Sequence, residues 1–341
     1  MGPGGPGGPS VLQGNLYYQY VKDLSAGAFG FVQLARDRTN NEQVAIKFIP
    51  RGKSSINKYV QRELLNHSRL LHPHVVQFKE VFLTPQHLAI VMEYAAGGDM
   101  FQRVKACGGL KEEDARWFFQ QLIIGLDYCH KMGVVNRDIK LENCLLDGSR
   151  RPLLKLCDFG YSKHESSDSV PKSKVGTPGY TAPEVLGHRK AYDGKLADLW
   201  SCGCMLYVML FCEYPFERQS DPQDEFQRYR LITERIRTAD WIIPPNMNAS
   251  PELRSLFSRI LVPDPHQRAT ILEITDHPWF SKGLPKGVMS MNDQCLDLKD
   301  QTAGYQSADQ IRAIVLEAAQ VTDGHHALID EIMDEDDLDL P

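Results

Sequence analysis

Asp138, Lys140 and Asn143 share one stretch, Asn136-Arg137-Asp138-Ile139-Lys140-Leu141-Glu142-Asn143, and Asp158-Phe159-Gly160 follows fifteen residues after it. A carboxylate, an ammonium and an amide at relative positions 0, +2 and +5 suit phosphoryl transfer. Asp138 would accept the proton of a substrate hydroxyl. Lys140 would neutralise charge on the transferred phosphoryl group. Asn143 and Asp158 would ligate Mg2+ against the phosphates. Ala182-Pro183-Glu184 closes the segment. Each triplet is common by chance; all of them in this order and spacing are not.

Three weaker signals lie upstream. Leu24-Ser25-Ala26-Gly27-Ala28-Phe29-Gly30-Phe31-Val32 is a Gly-rich turn after a strand, and phosphates need the close backbone approach that glycine allows. Ser25 stands where the full pattern G-x-G-x-x-G-x-V has its first glycine, while Gly27, Gly30 and Val32 fit. An ordinary hairpin turn would read the same way. It is not a Walker A loop, because no Gly-Lys-Ser/Thr follows. Lys47 ends Val44-Ala45-Ile46-Lys47 on the third expected strand, and Glu63 lies on the following helix. An ion pair between them would hold Lys47 against the α- and β-phosphates.

The elements that must position these groups fall into two regions. Short β-prone runs at 18–24, 31–36, 43–49, 75–83 and 87–93 surround one helix over 57–71, a small twisted sheet carrying a single helix. From Gly97 helices dominate, with 112–131, 196–212, 251–260 and 271–276 expected. The run 196–212 is apolar nearly all round, so it reads as a buried helix. Its uncharged part, Leu199–Cys212, is shorter than a bilayer span. Residues 307–319 form an amphipathic helix with Ser307 as N-cap.

The chain has 341 residues, 42% hydrophobic and 24% charged, with a formal charge of −6. That composition excludes a disordered, collagen-like or coiled-coil chain. Residues 330–340 hold seven carboxylates and no base, and removing those seven charges takes −6 to +1 for the rest. A near-neutral body does not suggest nucleic-acid binding. The eight cysteines form no C-x-x-C pair, and residues 1–10 show no secretory pattern, so reduced thiols and an intracellular site are expected.

Over residues 17–281 these motifs resemble the eukaryotic protein kinase family, with Asp198-x-Trp200-Ser201-x-Gly203 and Arg268 among the matches. Lys140 with Gly176-Thr177-Pro178 resembles the Ser/Thr branch. Closer likeness, in 88–98, in Cys157–Lys163 and in Pro171-Lys172-Ser173, is to the plant sucrose-nonfermenting-related protein kinases of the second subfamily, activated by osmotic stress and abscisic acid. The resemblance implies an α+β, bilobal fold. It comprises an arm over 1–14, an N-lobe over 15–92, a C-lobe over 93–281, a linker over 282–305, a regulatory helix over 306–320 and an acidic tail over 321–341.

The same resemblance implies an ATP slot lined by Leu24, Val32, Ala45, Leu145 and Cys157, with Met92 as gatekeeper and backbone bonds from Glu93 and Ala95. It implies that Asp198 braces the catalytic loop, that Arg268 pairs with Glu184, and that Thr177 helps position Asp138 and Lys140. Asp99 and Glu142 would read an Arg three residues before the phosphoacceptor, by carboxylate–guanidinium pairing. Ser173, then Ser169, are the expected activation sites, since a phosphate there would pair with Arg137. Asn136 replaces the family's His, and Lys174 a frequent hydroxyl residue. Asn136 and Ser25 leave a pseudokinase scaffold as the competing reading. The expected partners are protein substrates, an activating kinase (or autophosphorylation) and a phosphatase at the acidic tail. Neither nucleic acid nor membrane is expected, and a cytoplasmic, also nuclear, monomer is.

Overall fold

The computed structural model describes residues 11–27, 30–158, 178–187, 192–245, 247–298 and 306–320. The chain divides into two units, one of Met1–Ser68, Phe78–Tyr94 and Gly304–Pro341, the other of Arg69–Gln77 and Ala95–Ala303.

The first unit is built on an antiparallel sheet of order β1-β2-β3-β5-β4. Its strands are β1 (Tyr18–Gly27), β2 (Gly30–Asp37), β3 (Gln43–Pro50), β4 (Phe78–Leu83) and β5 (His87–Glu93). Period-two alternation sorts β3: Val44, Ile46 and Phe48 are buried in the core, while Ala45 and Lys47 lie half-buried on the other face. Helix α1 (Lys58–Ser68) follows, capped by the Asn57 side chain, which accepts from the N–H groups of Tyr59 and Val60. Its stripe Val60, Leu64 and His67 is buried, at the i, i+4, i+7 spacing of one helix face.

The second unit begins with α2 (Met100–Cys107) and α3 (Glu112–Lys131), followed by the hairpin β6 (Cys144–Leu146) with β7 (Leu154–Leu156). Then come α4 (Pro183–Leu186), α5 (Gly194–Phe211), α6 (Glu225–Thr238), α7 (Pro251–Ile260), α8 (Ile271–Thr275), α9 (Pro278–Ser281) and α10 (Met291–Asp297). Acids fill the first turn of α3 and His130 and Lys131 its last, as the helix dipole favours. Helix α5 passes for a membrane span by length and composition, but 78% of it is buried as core. Gly203 lets it approach α7, since a Cβ there would sit 2.6 Å from Ile260 Cγ2.

The last helix, α11 (Ala308–Ala319), belongs to the first unit and packs on α1, β4 and β5. Ser307 and Gln310 cap it reciprocally, and Ile311, Val315 and Ala318 are buried. Its carboxyl end is tied down by Gly52 N–H to the Ala318 carbonyl and by Arg51 to the Glu317 carbonyl, both at 3.0 Å.

Several expectations need correcting. The arm does not run to residue 14: Leu12, 4% exposed, is inside the sheet's core with Tyr18, because Val11-Leu12 is apolar where the Gly/Pro run ends. Residues 69–77 are not part of the first unit; Val75 bridges Leu156, and Val76 donates to the Leu156 carbonyl. Nor is 282–305 an irregular linker throughout, since α10 lies in it. Polar bonds add to the packing of Met291, Cys295 and Leu296 in holding α10: buried Asn292 donates to the Ile124 carbonyl and to Asp127, and meets the His72 ring. Helix α6 was also not expected, as only Ile232 and Ile236 of it are buried.

Candidate active site

In the second unit the catalytic stretch closes on itself. Lys140 Nζ donates to Asp138 Oδ2 at 2.9 Å, and Asn143 Nδ2 donates to the same oxygen at 2.7 Å and to the Asp138 carbonyl at 2.9 Å. Lys140 and Asn143 are thus both within bonding distance of Asp138. Burial alone would lower the Lys140 pKa; the bond and charge of Asp138, with Glu142 and Asp158, outweigh it and raise it. The ammonium is therefore held charged.

A buried carboxylate supports this arrangement from α5. Asp198, 1% exposed, accepts from the N–H groups of Asn136 (3.0 Å) and Arg137 (2.8 Å) and meets His130 Nε2 at 2.9 Å. A carboxyl group so deep is tolerable because both of its oxygens are hydrogen-bonded. It holds Arg137 in the left-handed region, at φ 63°, where a non-glycine residue is strained by about 1–2 kcal/mol. Asn136 is 3% exposed, and its Oδ1 accepts the Asp138 N–H at 3.1 Å. His130 was missed from sequence, because at the end of α3 it reads as an ordinary last-turn cation.

The hairpin β6–β7 delivers the second carboxylate. Cys157 N–H donates to the Asn143 carbonyl at 3.0 Å, and Asp158 follows with φ 56°, a second strained residue. Glu184 is anchored by Arg268: Nη1–Oε1 is 2.8 Å and Nη2–Oε2 3.0 Å, with side chains 0% and 4% exposed. The guanidinium also lies 5.1 Å from the Trp200 ring centroid.

Leu145 and Ala95 are also in the second unit, as are Asp99 and Glu142. Asp99 caps α2, its Oδ1 accepting the Gln102 N–H at 2.8 Å, a role its Asp-x-x-Gln spacing announces. Glu142 is exposed on the 3-10 turn Leu141–Asn143, and its charge is among the causes that, after burial, raise the Tyr180 and Tyr214 phenols. Those rings meet edge-on, centroids 5.4 Å apart.

The first unit holds Leu24, Ser25, Gly27, Gly30, Val32, Ala45, Lys47, Glu63, Met92 and Glu93. Val32 pairs with Lys47 across β2 and β3, and Ala45 with Met92 across β3 and β5. Glu63 is half-buried on α1. Gly30 has a structural reason as well, because a Cβ there would come within 2.0 Å of the Phe48 carbonyl oxygen. Ser169, Ser173 and Thr177 lie outside the described residues, as do Lys174 and the acidic tail.

Residues 18–280 match the protein kinase domain. The chain belongs to the protein kinase family. The serine/threonine-protein kinase SRK2D of Arabidopsis thaliana is 51% identical to it over 94% of this chain and 87% of that one. SAPK2 of Oryza sativa subsp. indica, named in the same way, is 52% identical over 90% and 89%. A crystal structure of Rad53 1-466 in complex with AMP-PNP is 30% identical, with a TM-score of 0.64, over 77% of this chain and 65% of that one. Neither the relatives nor the assembled Asp138–Lys140–Asn143 group supports a pseudokinase.

Proposed function

We propose that this kinase transfers the γ-phosphate of Mg·ATP to Ser or Thr of protein substrates that carry Arg three residues before the acceptor. The observation that carries the reading is the Asp138 carboxylate clamped between Lys140 and Asn143. Asp138 takes the hydroxyl proton as the substrate oxygen bonds to phosphorus, and the bond from phosphorus to the ADP oxygen breaks. Lys140, held charged, stabilises the phosphoryl oxygens. Like SRK2D and SAPK2 by their names, the chain is a serine/threonine protein kinase.

The donor set suits Mg2+. Asn143 directs its Nδ2 to Asp138, which leaves the amide oxygen for a cation, and Asp158 adds a carboxylate. Among the described residues no group of three or more His, Cys, Asp or Glu is placed to hold a metal. Mg2+ typically takes one or two protein oxygens and completes its shell with phosphates and water. Bound there, it would neutralise phosphate charge.

Glu142 supports the Arg preference better than Asp99, whose carboxylate is already engaged as a cap. Phosphorylation at Ser173, with Ser169 second, activates the kinase, and osmotic or abiotic stress is the setting the resemblance suggests. Cytoplasmic and nuclear residence, a monomeric state and a phosphatase at the acidic tail belong to the same reading.

The test is transfer from radiolabelled ATP to an Arg-x-x-Ser peptide. Asp138→Asn should lower kcat on the order of 10²–10⁴-fold, the span of general-base catalysis. Undiminished transfer would remove Asp138 from the mechanism. On a peptide array Glu142→Gln should lose the Arg preference, and an acidic or proline-directed wild-type preference would refute it. Ser173→Ala should stay inactive after treatment with an upstream kinase.

A further inference from the structure

The first unit contains a groove that phosphoryl transfer does not use. It encloses about 830 Å³ between the segment before β1, the end of β2, strand β4 and helix α11. Three carboxylates line it from three elements, Asp37 of β2, Glu80 of β4 and Glu317 of α11, and among the described residues no Lys or Arg lines it. At the wall are two adjacent large side chains, Leu16 and Tyr17, 81% and 63% exposed. Tyr18 and Phe82, also lining it, stack with centroids 5.6 Å apart.

Neutral groups do most of the hydrogen bonding to these carboxylates. Asp37 accepts from the N–H and hydroxyl of Thr39, and Glu80 accepts the Tyr18 hydroxyl at 2.7 Å; all these donors are neutral. Glu317 meets Arg51 only at 3.9 Å. The Tyr18 phenol registers the resulting field: burial raises its pKa, and Glu80, Asp37 and Glu42 push it the same way. The groove also borders an outer strand. Strand β4 ends the sheet, and at Val81 both main-chain groups pair with the Gln306 side-chain amide, each at 2.8 Å. At Val81 the edge is thus already capped by an amide of the same chain, as a neighbouring strand's peptide group would cap it.

We propose that this groove is a docking site for an extended basic segment of a partner protein, with Lys or Arg beside an apolar residue. Charge complementarity selects the basic side chains, Leu16 and Tyr17 meet the apolar one, and the four consecutive β4 residues along the groove, Glu80 to Leu83, suit an extended backbone.

The test uses the full chain and the fluorescent peptide Arg-Leu-Lys-Leu-Arg, which has no hydroxyl to phosphorylate. The basic peptide should bind, more weakly as salt rises, and should protect Phe78–Leu83 and Ala308–Ala319 from hydrogen exchange. Glu-Leu-Glu-Leu-Glu should not bind. Asp37→Asn/Glu80→Gln keeps an acceptor for all three hydrogen bonds and removes two charges. It should bind the basic peptide at least tenfold more weakly while transferring phosphate to an Arg-x-x-Ser peptide at the wild-type rate. Equal binding by this variant, equal binding of the acidic peptide, or protection elsewhere only would overturn the proposal. So would two other occupants: a dimer by sedimentation that the double variant abolishes, or a tenfold gain in affinity on deleting residues 1–10.

Discussion

Asn136 shows how much one buried amide decides. Its Oδ1 bonds the Asp138 N–H, while its Nδ2 is buried without a hydrogen-bond partner among the described residues. A buried, unbonded donor of this kind costs about 1–3 kcal/mol. The family's His at this position is therefore not simply lost: the amide orients the catalytic Asp from its own side. Asn136→Leu, similar in size but without an acceptor, should lower kcat about tenfold and leave the KM for ATP nearly unchanged. Asn136→Asp keeps the acceptor and should retain more of kcat. Steady-state kinetics at saturating peptide checks both, and equal kcat for Asn136→Leu and wild type would show that the bond does not matter. At Glu184 the residue effect is on stability. Glu184→Gln leaves the buried Arg268 guanidinium without its counter-charge. A loss of about 3–5 kcal/mol is expected in denaturant unfolding.

At the scale of elements, α11 is the informative case. Its periodicity and its Ser307 cap are local, so the helix could be read from sequence; its place on α1, β4 and β5 could not. Ile311 is fully buried there. Ile311→Ala should cost about 2–5 kcal/mol, the usual range for emptying such a site. Deleting residues 306–320 should lower the thermal midpoint and also the activity, because α1 carries Glu63. An unchanged melting curve would count against docking. Helices α6 and α10 were illegible for the opposite reason: one buries a thin stripe and the other is held in part through Asn292 by distant polar groups.

For the molecule as a whole, the second unit contains a pH-sensitive joint. His72 and His74 are buried beside α3, β7 and α10, and burial pushes both pKa values down to about 4 from 6.5. His74 and Lys155 disfavour charge on His72 further, while Asn292 and Asp127 work the other way. Both rings are neutral in the folded state, so only the unfolded chain takes protons between these values. Their contribution is full above pH 6.5, falls as pH drops from 6.5 toward 4, and levels off below. Each pKa unit is 1.36 kcal/mol, so the ceiling is on the order of 3 kcal/mol per ring. Denaturant midpoints at pH 7.5 and 5.0 check this, the lower pH giving the lower midpoint. His72→Asn should shrink the difference and leave the share of His74.

The chemistry was readable from sequence because its groups are neighbours in the chain. Asp138, Lys140 and Asn143 span six residues, and a turn that short leaves few ways to place them, so spacing alone implied the cluster. Local rules likewise exposed the alternation of β3 and the stripe of α1. They left the cap role of Asp99 unread, since a carboxylate that caps a helix and one that reads a substrate look alike until the Gln102 N–H is seen bonded to it. Tertiary structure decided what depends on residues far apart in the chain. Asp198 lies more than sixty positions from the loop it braces, and Arg268 over eighty from Glu184. Residues 69–77 joined the second unit through β7, and α11 returned to the first. Such pairings rest on burial and on satisfying polar groups in three dimensions, which no local spacing encodes.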